Sequence, residues 1–342
     1  MDPRGKGGYR DGGWTAYLLV VSHPYGVART DPRGALLVMA AAACYALSVV
    51  FAKGAYGLGV SVQTLTVWRF AIGALAFWGM VSLRRPAWLA RRVVLTAIGM
   101  GSVGFAVQAL TYFGAIAVMD AGLATLLVYT YPAIITVIGF LTRRQSPTRR
   151  TLAALGCSAA GMLLLVGLGG LATVSRLGVG LALTAAVTYA LYTIVASSLP
   201  AEADVVLLMA IVTTSAFTSV LVVALVSGSP LSLGAGPAVY GWVLAYIAVG
   251  TLLAMTLHLQ GLVRIEPSRA GILSSIEPLV TAGAVAAVYG ERMTLAQIAG
   301  GAVILVGIVI LQLRPRRPAV DLLAQTRHPD VQETPSAVGL AS

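Results

Sequence analysis

The residue best suited to chemistry in this 342-residue chain is Glu277. It lies about ten residues into an apolar stretch, so roughly 15 Å deep along a helix rising ~1.5 Å per residue, near the middle of any bilayer that the stretch would cross. An ionised carboxylate at that depth is costly unless paired or hydrated. Two readings stand together: Glu277 binds an amine or carries a proton, or it is a buried pair or hydrogen-bonded acid that shapes its helix. Pro278 beside it has no backbone N–H and frees a carbonyl one turn back. Pro132 has the matching place in an earlier stretch. Arg69 is the second charge inside an apolar stretch. It neutralises Glu277, attracts a carboxylate, or extends its long stem outward. Tyr45, Tyr189, Tyr131, Gln108 and His258 are further polar side chains within such stretches. Tyrosines near stretch ends read as interface anchors. Tyr45 and Tyr189 sit near mid-stretch and read as cavity residues. His258 reads as a proton relay or, more simply, as a hydrogen-bonded packing residue.

Other chemistries find no support. Gly99-Met100-Gly101-Ser102-Val103-Gly104 has dinucleotide-loop spacing. It lies inside an apolar stretch with no preceding strand, so it reads as close helix packing. There is no P-loop, no HExxH and no Ser/His/Asp arrangement, so no catalytic residue, metal or cofactor is expected, and the chain does not read as an enzyme. Cys44 and Cys157 lack ligand spacing and read as small packing residues.

The elements that must position Glu277 are apolar throughout. The chain is 58% hydrophobic and 10% charged, with mean hydropathy +0.88. A soluble fold must wet its outside and cannot hide that much apolar surface; a bilayer reverses the requirement. Stretches long enough to cross about 30 Å of hydrocarbon recur at 34–55, 62–83, 93–115, 119–141, 149–168, 177–199, 205–227, 238–261, 267–289 and 294–313. This predicts an all-α membrane protein of ten transmembrane helices, with the lipid bilayer as its surroundings. The links between them are too short to hold a soluble domain.

A net charge of +11 would suggest nucleic acid in a soluble protein. Here the arginines sit between the stretches and report topology instead, so no nucleic-acid partner is expected. With the N-terminus inside, the inner side receives Arg84, Arg85, Arg91, Arg92, Arg143, Arg144, Arg149, Arg150, Arg264 and Arg269, besides the basic residues of both tails. The outer side receives Lys53, Arg176 and Arg292. The positive-inside rule then predicts a multi-pass protein of the cell membrane, a bacterial cytoplasmic membrane by its composition, with both termini cytoplasmic. Residues 1–33 and 314–342 read as cytoplasmic tails, the latter disordered.

The two halves resemble each other. Ala41 to Leu47 (AAACYAL) recurs as Ala185 to Leu191 (AAVTYAL), and Gly34 and Gly178 keep the same offset. Further on, Asp120 meets Glu266, Ala124 meets Ala270, Pro132 meets Pro278 and Gly161 meets Gly307. On that register Tyr131 stands where Glu277 stands, and Tyr112 where His258 stands. The repeats span 34–168 and 177–313. Five spans each is an odd number, so the second copy enters from the opposite side. Inverted repeats of this kind build secondary transporters with a site at the repeat interface.

The chain resembles the EamA branch of the drug/metabolite transporter superfamily. The resemblance rests on Arg69-Phe70, on Ala124 with Pro132, and on the run Ala270 to Pro278 (AGILSSIEP) followed by Gly290-Glu291, Gln297 and Gly300. It implies helices around a central cavity and alternating access for a small-molecule substrate such as an amino acid, a drug or a related metabolite. The first repeat has Arg143-Arg144-Gln145 where the second has Gly290-Glu291, so that glutamate is not duplicated. The expectation is an exporter driven by the substrate gradient or by protons. Uptake, or a passive channel or scaffold, stays as the alternative, and a homodimer is left open.

Overall fold

Capping chemistry sets where the helices begin. Pro32 opens the first helix, where its missing N–H is not needed, and Asp31 caps from outside by accepting Arg33 N–H at 2.9 Å. Ser61 and Asp204 do the same for two others, accepting Thr64 N–H at 3.1 Å and Leu207 N–H at 2.9 Å. The computed structural model describes residues 31–143, 147–164, 175–196, 198–200, 203–234, 236–262, 264–265, 267–291 and 293–312. Nearly all of both tails, and Arg144 and Gln145 in the fourth-to-fifth link, lie outside the described residues.

The described chain is helical from end to end. The helices are α1 (Pro32–Gly57), α2 (Val62–Arg84), α3 (Arg91–Val118) and α4 (Ala121–Leu141), then α5 (Arg149–Leu163). The second half gives α6 (Arg176–Ala196) and α7 (Val205–Val226). It continues with α8 (Pro237–Ile247, Ala248–Leu253 and Ala254–Leu262), α9 (Pro267–Ser274 and Glu277–Tyr289) and α10 (Leu295–Gln312). Eight of these are long and apolar enough to cross a membrane. Of the expected fifth and tenth spans, α10 is a shorter apolar helix, and α5 is described over the 15 residues Arg149–Leu163. Leu75 and Leu163 are 73% and 71% exposed, so the outer face is apolar and suits lipid, not water.

Four irregularities fall at related places in the two halves. α3 carries a π segment at Met100–Phe105 and α8 one at Ala248–Leu253. Such a widened turn is common at functional sites. α4 breaks between Val128 and Tyr131, and α9 between Ser274 and Glu277. At both breaks the ladder tightens to three-residue bonds, Thr130 N–H to Leu127 O at 3.1 Å and Ser275 N–H to Ile272 O at 3.2 Å. Pro132 and Pro278 each sit in the first turn after the break, where a proline fits a helix start.

The helices pair by exchange. α2 packs on α7 and α5 on α10, while α3 packs on α6 as α8 packs on α1. Swapping the halves maps this set of contacts onto itself. Close glycines permit it. A Cβ on Gly161 would meet Gly300 O at 2.6 Å, and one on Gly307 would meet Ala154 O at 2.9 Å, so the α5–α10 crossing is tight from both sides. Arg150 closes the same crossing by donating Nε and Nη2 to Ile310 O at 2.8 and 2.6 Å. In the glycine-rich stretch of α3, a Cβ on Gly101 would lie 2.2 Å from Val212 O and one on Gly104 3.2 Å from the Tyr192 ring, whereas one on Gly99 would meet nothing within 4 Å among the described residues. Close packing therefore accounts for two of its three glycines.

Candidate functional site

Glu277 is the first residue of the second half of α9. The break before it places the carboxylate at a fresh helix N-terminus in mid-bundle, where free N–H groups and the helix dipole favour negative charge. Tyr131 holds the same local position in α4. Each break thus presents one side chain inward, a carboxylate from one half and a phenol from the other.

The carbonyl freed by Pro278 is that of Ser274, four residues back. Tyr129 Oη donates to it at 3.1 Å and to Glu277 Oε2 at 2.8 Å. One tyrosine hydroxyl at the α4 break therefore fixes both the freed carbonyl and the carboxylate at the α9 break. In the sequence this residue counts only among the polar and aromatic residues within the spans and not among the site residues, although its place two residues before the Tyr131-Pro132 pair is a usable signal.

The carboxylate faces a cavity of about 440 Å³, within the range of sites for drug-sized ligands. All seven polar residues named from sequence line it: Tyr45, Arg69, Gln108, Tyr131, Tyr189, His258 and Glu277. They come from α1, α2, α3, α4, α6, α8 and α9, so both halves contribute. Phe105, Tyr112, Phe113, Tyr129 and Tyr192 add aromatic surface, and Met209 and Met255 add flexible apolar surface.

The aromatic wall is continuous. The Tyr131 ring meets Tyr189 edge to face at 4.6 Å between centroids. Tyr189 lies parallel to Tyr192 at 6.2 Å, and Tyr192 stacks on Phe105 at 5.8 Å. Tyr45 meets His258 edge to face at 6.4 Å between ring centroids. Tyr112 shares a hydrogen bond with Thr125 at 2.9 Å.

Arg69 sits against partners that the sequence does not mark. Its Nη1 donates to Tyr246 Oη at 2.8 Å, and its guanidinium carbon lies 5.3 Å from the ring centroids of both Phe113 and Tyr246. Among the described residues the ion pair is Lys53 with Glu291, so Arg69 is held by a phenol and two rings rather than by Glu277. Its Nε is buried with no hydrogen-bond partner among the described residues. No spacing in the sequence marks Tyr246, which matters only because α8 folds against α2. Pro132 and Pro278 do not line the cavity; they shape the two breaks from which Tyr131 and Glu277 project.

Comparison with known proteins follows the same division into halves. A model of the EamA-like transporter family matches residues 32–167 and again 176–313. Among curated proteins, none matches the chain. Among solved structures, a crystal structure of a protein covers 82% of this chain and 98% of its own, with TM-score 0.57 and 19% identity. At that identity the likeness concerns the fold alone.

Proposed function

We propose that this chain, which belongs to the EamA-like transporter family, is a secondary active exporter of small organic metabolites, such as amino acids, drugs or related compounds, working by alternating access. The observation that carries this reading is the cavity at the meeting of the two helix breaks, lined from both halves and holding the Glu277 carboxylate. Breaks in mid-bundle supply exposed backbone and helix ends to a ligand, and their duplication supplies two gates that can work in alternation. Glu277 binds a substrate amine or carries a proton, Arg69 attracts a substrate carboxylate, and the tyrosines hold the body of the substrate.

The membrane arrangement behind this reading is ten spans in two inverted repeats with both termini in the cytoplasm. The arginines concentrated in alternate links, all at one end of the bundle, and the exchanged helix contacts support it. The test is flux in proteoliposomes screened over a metabolite set. Concentrative transport under a proton or substrate gradient is expected, with Glu277→Gln abolishing the drive from a pH gradient. Equilibration without concentration for every ligand would overturn active transport in favour of a passive pore.

A further inference from the structure

The end of the bundle farthest from the arginine-rich links holds a cluster that the cavity does not use. Lys53 near the end of α1 forms an ion pair with Glu291 Oε1, in the link between α9 and α10. The other oxygen, Oε2, accepts the N–H of Ala121 at 3.0 Å, the first residue of α4. Lys53 Nζ lies 5.9 Å from the ring centroid of Tyr289, whose hydroxyl donates to Val50 O at 2.7 Å. Both charged side chains are largely shielded, 19% and 16% exposed. One carboxylate from the second repeat thus ties together two helices of the first.

The packing beneath this knot is asymmetric. At the knot end, Gly122 of α4 is so close to α9 that a Cβ would lie 3.2 Å from Ala282 Cβ and 3.3 Å from Met293 Sδ. The first half of α4 packs along the second half of α9 there. The other halves of the same two helices, Tyr131–Leu141 and Pro267–Ser274, pack on α6 and α1 but have no comparable packing on each other among the described residues. The cavity follows this opening: its lining includes Met209, His258 and Ala270, all toward the arginine-rich end. The repeat also puts the uncharged Ser197 and Gln145 at the positions of Lys53 and Glu291, so in sequence the ion pair has no twin at the opposite end.

We infer that Lys53, Glu291 and the N-terminus of α4 form a one-sided latch that holds the end opposite the arginine-rich links shut, and that this structure is the conformer open toward the arginine-rich end. The inference rests on the alternating-access reading. Opening the latched end requires α9, with the link that follows it, to part from both α4 and α1, which pulls Ala121 from Glu291 and separates Glu291 from Lys53. Stabilising the shut state in this way lowers the population of the other state without touching the cavity.

The test uses accessibility, which needs no known substrate. Met255→Cys places a reporter thiol in the cavity of a protein carrying Cys44→Ala and Cys157→Ala. A membrane-impermeant maleimide is applied from each side of oriented vesicles. Glu291→Gln keeps an acceptor for Ala121 N–H but removes the ion pair, so the fold stays capped. It and Lys53→Met should each raise labelling from the latch side about fivefold or more, the lower range of typical coupling between sites. The exchanged pair Lys53→Glu with Glu291→Lys should bring labelling back toward the parent. If the parent labels from both sides and the single variants do not differ from it, the latch is wrong while alternating access stands. Absence of labelling from the latch side in every variant would overturn both.

Discussion

Tyr129 carries more of the site's geometry than any other side chain, because its hydroxyl serves both the carbonyl freed by Pro278 and the carboxylate of Glu277. Tyr129→Phe keeps the ring and removes both bonds. At about 1 kcal/mol for a lost hydrogen bond, the half-saturating substrate concentration should rise roughly fivefold while the protein stays folded. An unchanged value would mean that Glu277 needs no orientation. Arg69→Lys keeps the charge and loses the planar group wedged against Tyr246 and Phe113. Transport of substrates bearing a carboxylate should fall by about tenfold, the effect of ~1.4 kcal/mol, with little change for those without one; a uniform fall would point to a structural role. At this scale the sequence was informative about polar residues set deep in apolar stretches, since burial of charge is itself a signal. It was silent about Tyr246, whose hydroxyl has meaning only once α8 lies against α2.

Among the helices, the breaks in α4 and α9 are the features that turn packed rods into a cavity wall. Pro278→Ala returns an N–H that competes with Tyr129 for Ser274 O, and α9 should straighten through the site. Transport is expected to slow about tenfold at normal abundance, read against Pro132→Ala as the matching change in α4; a rate within twofold of the parent would show that the break does not depend on the proline. The α5–α10 crossing gives a stability test instead. Gly161→Leu and Gly307→Leu drive side chains into backbone carbonyls, whereas a Cβ at Gly156 points into space with nothing within 4 Å among the described residues, so Gly156→Leu is the control. The first two should lower stability in detergent by about 1–3 kcal/mol each, as overpacking does, and the third should leave it unchanged in a thermal unfolding assay. The positions of the prolines were readable from sequence, but the breaks begin two or three residues earlier, where the ladder has already tightened. The π segments of α3 and α8 were not readable, because they depend on helix contacts and not on a breaking residue.

For the whole molecule the strongest expectation is opposite orientation of the two halves. Cysteines placed at Arg85, in the link after α2, and at Ser229, in the link after α7, occupy related links of the two repeats. Impermeant labelling should reach them from opposite sides of the membrane; labelling of both from one side would overturn the inverted arrangement. Composition, the recurrence of apolar stretches and the arginine pattern by themselves determined that this is an all-helical membrane protein with a repeated half, because hydrophobic length and charge are properties of local sequence. The repeat register also determined that Tyr131 and Glu277 are counterparts. Only the tertiary structure decided that Tyr129 holds Glu277, that Arg69 rests on Tyr246, and that Lys53 reaches Glu291 across the chain. Those are contacts between residues far apart in sequence. They depend on which helix faces which, and helices apolar on every side leave that choice to packing.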